Sequence, residues 1–263
     1  MEKYLKTGEG HFRYCMSGEG PALVLLHGYL EALEIWLKIS KRLSQWYKVV
    51  LIDLPGHGKS SVLDGEVSLE RMAGIVYEIC QKEKLKKIFL VGHSMGGYVT
   101  LAYLDKYVEN LKGFSLMHSH PFADSSETIV KREREIALVQ EGKKEIICSI
   151  NIPNAFAPGN LSLLQNQVEF TRKLALNTSE KGMISALNAM KGRSDRSTLL
   201  IHTQLPFLWV LGKHDQYIPY EGILKKVSMP QYGKIVSLEK SGHQGFMEEE
   251  DIVVKAFRDF IAT

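Results

Sequence analysis

The segment IFLVGHSMGGYVTLAY, residues 88–103, joins an apolar run to a helical pattern through a serine between glycines. Gly92, Ser94 and Gly96 form the G-x-S-x-G pattern of a sharp turn from a strand into a helix. In such a turn the chain passes so close to the serine that a Cβ on either glycine would clash. The pattern predicts a turn that exposes the Ser94 hydroxyl. The alternative is an ordinary glycine-rich connection with a solvated serine.

Ser94 stands just before the predicted helix, whose backbone N–H groups and positive dipole end point at the same place. The Met95 N–H is therefore a predicted donor for an oxyanion that develops beside the serine. A serine hydroxyl is a weak nucleophile and needs a base. In turns of this kind the other residues follow in the order Ser, then Asp or Glu, then His.

Two loop residues complete that order. Asp215 follows an apolar run at residues 206–212, and His243 follows a second predicted strand at residues 233–239. Both therefore lie at carboxyl ends of strands, on the sheet edge that carries Ser94. A single loop aspartate is usually a turn or capping residue, and a single loop histidine is usually solvated. Three suitable residue types in this order, each at the end of a strand, favour a Ser-His-Asp triad instead.

Short apolar runs alternate with helical patterns along the chain, at residues 22–28, 48–54, 87–92, 111–117, 206–212 and 233–239. Such runs are typical of strands buried on both faces, and the alternation predicts an α/β protein with a mainly parallel sheet. At residues 121–196 the alternation gives way to helical and turn-rich sequence. We expect this insertion to fold over the carboxyl edge of the sheet, where open α/β sheets bind ligands. It shows few polar residues that would anchor a defined substrate.

These motifs together resemble the α/β-hydrolase family over nearly the whole chain. The matching stretches are HG at 27–28, DLPGHGKS at 53–60, GHSMGG at 92–97, the Asp215 loop and SGH at 241–243. The resemblance implies an α/β-hydrolase fold, with a mostly parallel central sheet flanked by helices. It also implies a core at residues 1–120 and 197–263 and a helical cap at residues 121–196.

The resemblance also assigns roles at the site. It implies that Ser94 is the nucleophile, His243 the general base and Asp215 the carboxylate that orients the base. It further implies a second oxyanion donor, the Tyr29 N–H, beside the Met95 N–H.

Four residues are candidates for the substrate pocket: His27 and Gly28 in the HG motif, and His118 and His120 after the run at 111–117. The two histidines of HSHP could suggest a metal, but no third ligand of suitable spacing lies nearby, so no metal is predicted.

Three other residues of the motifs and loops need an assignment. Asp124 is the alternative to Asp215, because a few family members carry the acid after that earlier strand. His57 and His93 lie inside the motifs and are predicted to pack behind the site rather than react.

The bulk composition limits the class of protein. The chain has 263 residues, 44% hydrophobic and 24% charged, with a net charge of +3, which is typical of a globular protein and not of a nucleic-acid-binding one. The cysteines at positions 15, 80 and 148 lack the spacing of a disulfide scaffold or zinc site, which favours a reducing compartment. With no signal-peptide pattern and no membrane-length apolar run, a cytoplasmic protein without membrane or nucleic-acid partners is predicted.

The residue type at position 94 limits the class of reaction. In the resembling family, dehalogenases and epoxide hydrolases carry aspartate where this chain has Ser94. The prediction is a carboxylesterase that cleaves a small ester through an acyl-enzyme, without cofactor or metal. Hydrolysis of thioesters, lactones or carbon–carbon bonds stays open, as do acyl transfer, perhydrolysis and low-turnover binding of a small ligand. The oligomeric state is also left open.

Overall fold

A single sheet of eight strands runs through the computed structural model, which describes residues 1–226 and 228–262. In chain order the strands are β1 (Glu2–Thr7), β2 (Gly10–Ser17), β3 (Ala22–Leu26), β4 (Lys48–Ile52), β5 (Ile88–His93), β6 (Leu111–Met117), β7 (Phe207–Gly212) and β8 (Gly233–Leu238). Their order across the sheet is β1-β2-β4-β3-β5-β6-β7-β8. Strands β3 to β8 run parallel, whereas β1 and β2 form an antiparallel hairpin that pairs with β4. The predicted α/β fold and its six strands are confirmed.

Helices cover both faces of the sheet. They are α1 (Leu37–Leu43), α2 (Leu69–Lys82), α3 (Met95–Tyr107), α4 (Ser126–Gln140), α5 (Lys144–Asn154), α6 (Gln165–Asn177), α7 (Glu180–Lys191), α8 (Ser197–His202), α9 (Tyr220–Leu224), α10 (Gly245–Glu248) and α11 (Glu250–Ile261). Alternate residues of β3 belong to different buried clusters, Val24 to the one with α2 and α3, and Leu25 to the one with α1 and α11. This double burial explains the continuous apolar runs of the parallel strands.

The hairpin of β1 and β2 was not predicted from the sequence. Its second strand carries Arg13, a residue type that is seldom fully buried. Arg13 is nevertheless only 2% exposed, because its Nε donates to Asp53 Oδ2 at 2.6 Å and its Nη2 donates to Glu34 Oε1 at 2.7 Å. Strand β2 therefore buries a charged residue through ion pairs with distant segments, and its sequence lacks the apolar pattern that predicts a buried strand.

Helices α4 to α8 fill the segment between β6 and β7. The two ends of the predicted insertion, residues 121–196, meet: the Arg196 N–H donates to the Pro121 carbonyl at 2.7 Å. Several of these helices share a small buried cluster that also takes in Leu30, from the loop after β3. The inserted helices therefore lie against the loop that follows β3, beside the carboxyl end of the sheet. Among the helices of the described residues, none combines the length and apolar character needed to cross a bilayer.

Candidate active site

Ser94 lies at the turn between β5 and α3 in a strained conformation, with φ 50° and ψ −115°. A non-glycine residue seldom adopts positive φ, and such strain clusters at functional sites. A Cβ built on Gly92 would lie 2.1 Å from the Gly96 carbonyl oxygen, and one on Gly96 would lie 2.6 Å from the His27 carbonyl oxygen. The close approach expected of this turn is therefore present. Met95 is the first residue of α3, so its N–H has no acceptor within the helix.

Asp215 and His243 meet beyond the ends of β7 and β8. His243 Nδ1 lies 2.8 Å from Asp215 Oδ2, and both side chains are buried. The second carboxylate oxygen, Oδ1, accepts from the N–H groups of Tyr217 at 2.8 Å and Ile218 at 2.9 Å. Hydrogen bonds to both oxygens fix the carboxylate, which in turn fixes the imidazole ring.

The pair shifts the pKa of both members. Burial alone would raise the pKa of Asp215, but the charge of His243 and the hydrogen bonds from His118 and His243 outweigh burial and lower it. Burial alone would lower the pKa of His243, but the charge and hydrogen bond of Asp215 outweigh it and raise it. Asp215 is thus held ionised, and the imidazolium form of His243 is stabilised.

His118 corrects one prediction, because it is not a pocket residue. It is fully buried at the end of β6, with its Nδ1 3.1 Å from the same Asp215 Oδ2 that binds His243. Burial lowers the pKa of His118 to about 4, so the ring is neutral at pH 7 and donates through Nδ1–H. The ligating atoms of His118, Asp215 and His243 lie within 4.8 Å of one another, but each Nδ1 is already engaged by the carboxylate.

A cavity of about 650 Å³ opens beside Ser94 and His243. Its walls come from the loops at the sheet edge and from the inserted helices. Helix α4 contributes four polar residues spaced along one face: Thr128, Lys131, Arg132 and Glu135. The expectation that the insertion offers few polar anchors was wrong, because a sequence shows charges on a helix without showing which face turns inward.

A family model described as the alpha/beta hydrolase fold matches residues 21–147 of this chain. That range includes the loop after β3 and the Ser94 turn. The chain has the α/β-hydrolase fold.

This α/β hydrolase is similar to named enzymes over nearly its whole length. It is 27% identical to monoacylglycerol lipase ABHD6 of Bos taurus, over 96% of this chain and 80% of that protein. It is 25% identical to pimeloyl-(acyl-carrier protein) methyl ester esterase of Xanthomonas oryzae pv. oryzae, over 94% of this chain and 97% of that protein. Among solved structures, a malate-bound thermophilic esterase from Thermogutta terrifontis matches with a TM-score of 0.93 at 26% identity, covering 100% of this chain and 98% of that one.

In this α/β hydrolase a second buried carboxylate lies behind Ser94, and it was missed in the sequence. Glu31 Oε2 accepts from the Gly28 N–H at 2.6 Å and lies 2.8 Å from His93 Nδ1. Its Oε1 accepts from Gln244 Nε2 at 2.7 Å. Burial alone would raise the pKa of Glu31, but His93 outweighs it and lowers the pKa to about 2. A glutamate just before a helical pattern carries no signal that distinguishes it from a surface residue, so only its contacts identify it.

His27 and Gly28 do not line the cavity, which corrects their placement as pocket residues. His27 is fully buried; its Nδ1 lies 2.8 Å from the Gly28 carbonyl oxygen and its Nε2 accepts from the Leu54 N–H at 3.0 Å. A Cβ built on Gly28 would lie 3.1 Å from Ser94 Cβ. The two residues therefore hold the loop after β3 close to Ser94. Of the four pocket candidates, His120 does line the cavity.

Asp124, the alternative acid, is engaged elsewhere. Its Oδ2 accepts from Arg132 Nε at 2.5 Å, and its Oδ1 lies 2.6 Å from Arg193 Nη1. Asp215, in contrast, holds His243 directly. The contacts favour Asp215 as the acid of the site.

Proposed function

We propose that this α/β hydrolase cleaves a small carboxylic ester through Ser94, His243 and Asp215, with an acyl-enzyme intermediate. The observation that carries the proposal is the pairing of a strained, cavity-lining serine with a cavity-lining histidine whose Nδ1 is held by a buried carboxylate. The named relatives cleave esters, as a lipase, a methyl ester esterase and an esterase. They support the same class of reaction here.

In the proposed mechanism Ser94 Oγ attacks the ester carbonyl carbon while His243 accepts its proton. Because Nδ1 of His243 is bound to Asp215, Nε2 is the nitrogen that serves the serine. The N–H groups of Met95 and Tyr29 hold the tetrahedral oxyanion; one such donor is worth about 10²–10³ in rate. His243 then protonates the leaving alcohol, and it activates the water that hydrolyses the acyl-enzyme.

We infer that residues 121–196 act as a cap on a core of residues 1–120 and 197–263. The support is the closing contact between Arg196 and Pro121 and the α4 residues that line the cavity. The protein is proposed to act in the cytoplasm on a small molecule, in line with its three free cysteines.

The test is hydrolysis of p-nitrophenyl esters of increasing acyl length by the wild type, Ser94→Ala and Ser149→Ala. Ser149 is an exposed serine on α5 and serves as the matched control. We expect activity to be lost only in Ser94→Ala, by a factor on the order of 10⁶. Labelling by a fluorophosphonate should map to Ser94 in mass spectrometry. Activity that persists in Ser94→Ala, or labelling at another residue, would overturn the mechanism.

A further inference from the structure

One end of the cavity gathers aromatic and basic side chains. His120 Nε2 lies 3.5 Å from the Tyr98 hydroxyl oxygen, and the His120 ring lies 5.5 Å from that of Phe122. The Lys226 ammonium lies 5.9 Å from the centre of the Phe122 ring. Tyr98 follows Ser94 by four residues on α3, so this end lies about one helical turn, about 5.4 Å, along the helix from the nucleophile.

The cationic groups at this end outnumber the carboxylates that pair with them directly. Arg132 and Arg193 share a single carboxylate, Asp124, at 2.5 Å and 2.6 Å. Lys226 has no carboxylate in ion-pair contact within the described part of the chain. Asp195 and Glu135 act on this end only at longer range, on His120 and Arg132. Burial, and then the charge of Arg193, lower the pKa of His120 to about 3.

Some hydrogen-bond donors at this end also lack a close acceptor. His120 Nδ1 accepts from the Phe122 N–H at 3.2 Å, so the neutral ring carries its proton on Nε2, toward Tyr98. Arg193 stacks on the Tyr98 ring at 3.9 Å, and its buried Nη2 finds no hydrogen-bond partner among the described residues. Buried donors of this kind normally have an acceptor.

The other two carboxylates of the cavity wall have partners of their own. Glu31 is paired with His93 behind Ser94. Glu135 lies three residues beyond Arg132 on α4 and accepts from Asn151 Nδ2 at 3.0 Å. Burial raises the pKa of Glu135, while the hydrogen bond from Asn151 and the charge of Arg132 act in the opposite direction.

We propose that Tyr98, His120, Arg132 and Lys226 form a cationic subsite that binds a carboxylate or phosphate group carried by the ester substrate. The proposal rests on the ester hydrolysis proposed above and adds the class of substrate. Because the subsite lies about one helical turn from Ser94, the anionic group and the scissile ester are separated by a short chain.

The first test compares esters that differ only in charge. Monomethyl succinate and monomethyl glutarate are set against methyl butanoate and methyl pentanoate, with the carboxylate on the acyl side. Acetate esters of glycolate and of 2-hydroxyethyl phosphate, which place a carboxylate or a phosphate on the alcohol side, are each set against ethyl acetate. We expect kcat/KM to be at least about tenfold higher for the charged member of a pair, with a preference that weakens as salt screens the charges. Equal kcat/KM within every pair would overturn the proposal.

The variants Lys226→Met and Lys225→Met make a matched pair. The two lysines are adjacent and exposed, but only Lys226 lines the cavity. We expect the ratio of kcat/KM for charged over neutral esters to fall about tenfold in Lys226→Met and to stay at the wild-type value in Lys225→Met. An equal effect of both variants would assign the preference to the general surface charge instead.

A binding measurement separates this proposal from the proposed reaction. Glutarate and inorganic phosphate are titrated calorimetrically into Ser94→Ala and into Ser94→Ala/Lys226→Met. Binding that weakens in the double variant and at high salt supports the subsite even if no ester is hydrolysed. Ester hydrolysis without charge preference, together with no binding of either anion, leaves the reaction standing and refutes the subsite.

Discussion

Glu31 and His93 form a buried pair behind Ser94, with Glu31 Oε2 2.8 Å from His93 Nδ1. The other ring nitrogen of His93, Nε2, lies 2.8 Å from the carbonyl oxygen of His243. Both ring nitrogens of His93 are therefore engaged. The ring links the loop after β3, the serine turn and the backbone of His243.

We expect Glu31→Gln to destabilise the protein by about 3–5 kcal/mol, because it removes one partner of a buried, hydrogen-bonded pair. His93→Asn removes the other partner. In the double variant neither buried group is left without its partner, so its loss should be smaller than the sum of the single losses. Urea unfolding of the four proteins measures the coupling. Strictly additive losses would show that the two side chains do not stabilise each other.

The decrease of the free energy of unfolding at acid pH should depend on Glu31. Its folded pKa lies below its ordinary value, so its contribution is complete above about pH 4.5 and is lost as the pH falls toward 2. The contribution amounts to about 3 kcal/mol. The difference in free energy of unfolding between wild type and Glu31→Gln should shrink from pH 5 to pH 3. A difference that stays constant over this range would contradict the assignment.

Asp215→Asn should lower kcat by about 10⁴, since the orienting charge is lost. Asp215 outweighs burial in raising the pKa of His243, so the same change should move the acidic limb of the kcat/KM profile to lower pH. The exposed Asp64 provides the control, and Asp64→Asn should leave both the rate and the profile unchanged. If the acidic limb of the kcat/KM profile stays at the same pH in Asp215→Asn, a group other than His243 determines it.

His118 should act on the reaction through Asp215. His118→Ala removes a hydrogen bond to the carboxylate, and we expect kcat/KM to fall about tenfold or more. The φ of His118 is 47°, a conformation that asparagine tolerates better than alanine, and an amide can still donate. His118→Asn should therefore recover part of the loss in kcat/KM. Wild-type kinetics in both variants would show that His118 contributes to packing and does not influence the reaction.

The serine turn should not accept a side chain at Gly96. In Gly96→Ala the new Cβ would meet the backbone oxygens of His27 and Leu26 at 2.6 Å and 2.7 Å. We expect a loss of about 1–3 kcal/mol or more in stability, together with loss of ester hydrolysis. Gly159 has nothing within 4 Å of a built Cβ, so Gly159→Ala should behave like the wild type in thermal unfolding and activity. An active, stable Gly96→Ala would refute the tight packing of this turn.

Local patterns in the chain were enough for the parallel strands and the turn around Ser94, because each signal is contained in a short window. Burial on both faces makes a strand uniformly apolar, and close backbone approach demands glycine. Contacts between distant residues leave no such trace. The second histidine on Asp215, the Glu31–His93 pair and the inward face of α4 emerged only when the folded chain brought separate segments together. Periodicity reports that a side chain is buried, whereas its charge partner depends on which loops meet at the edge of the sheet.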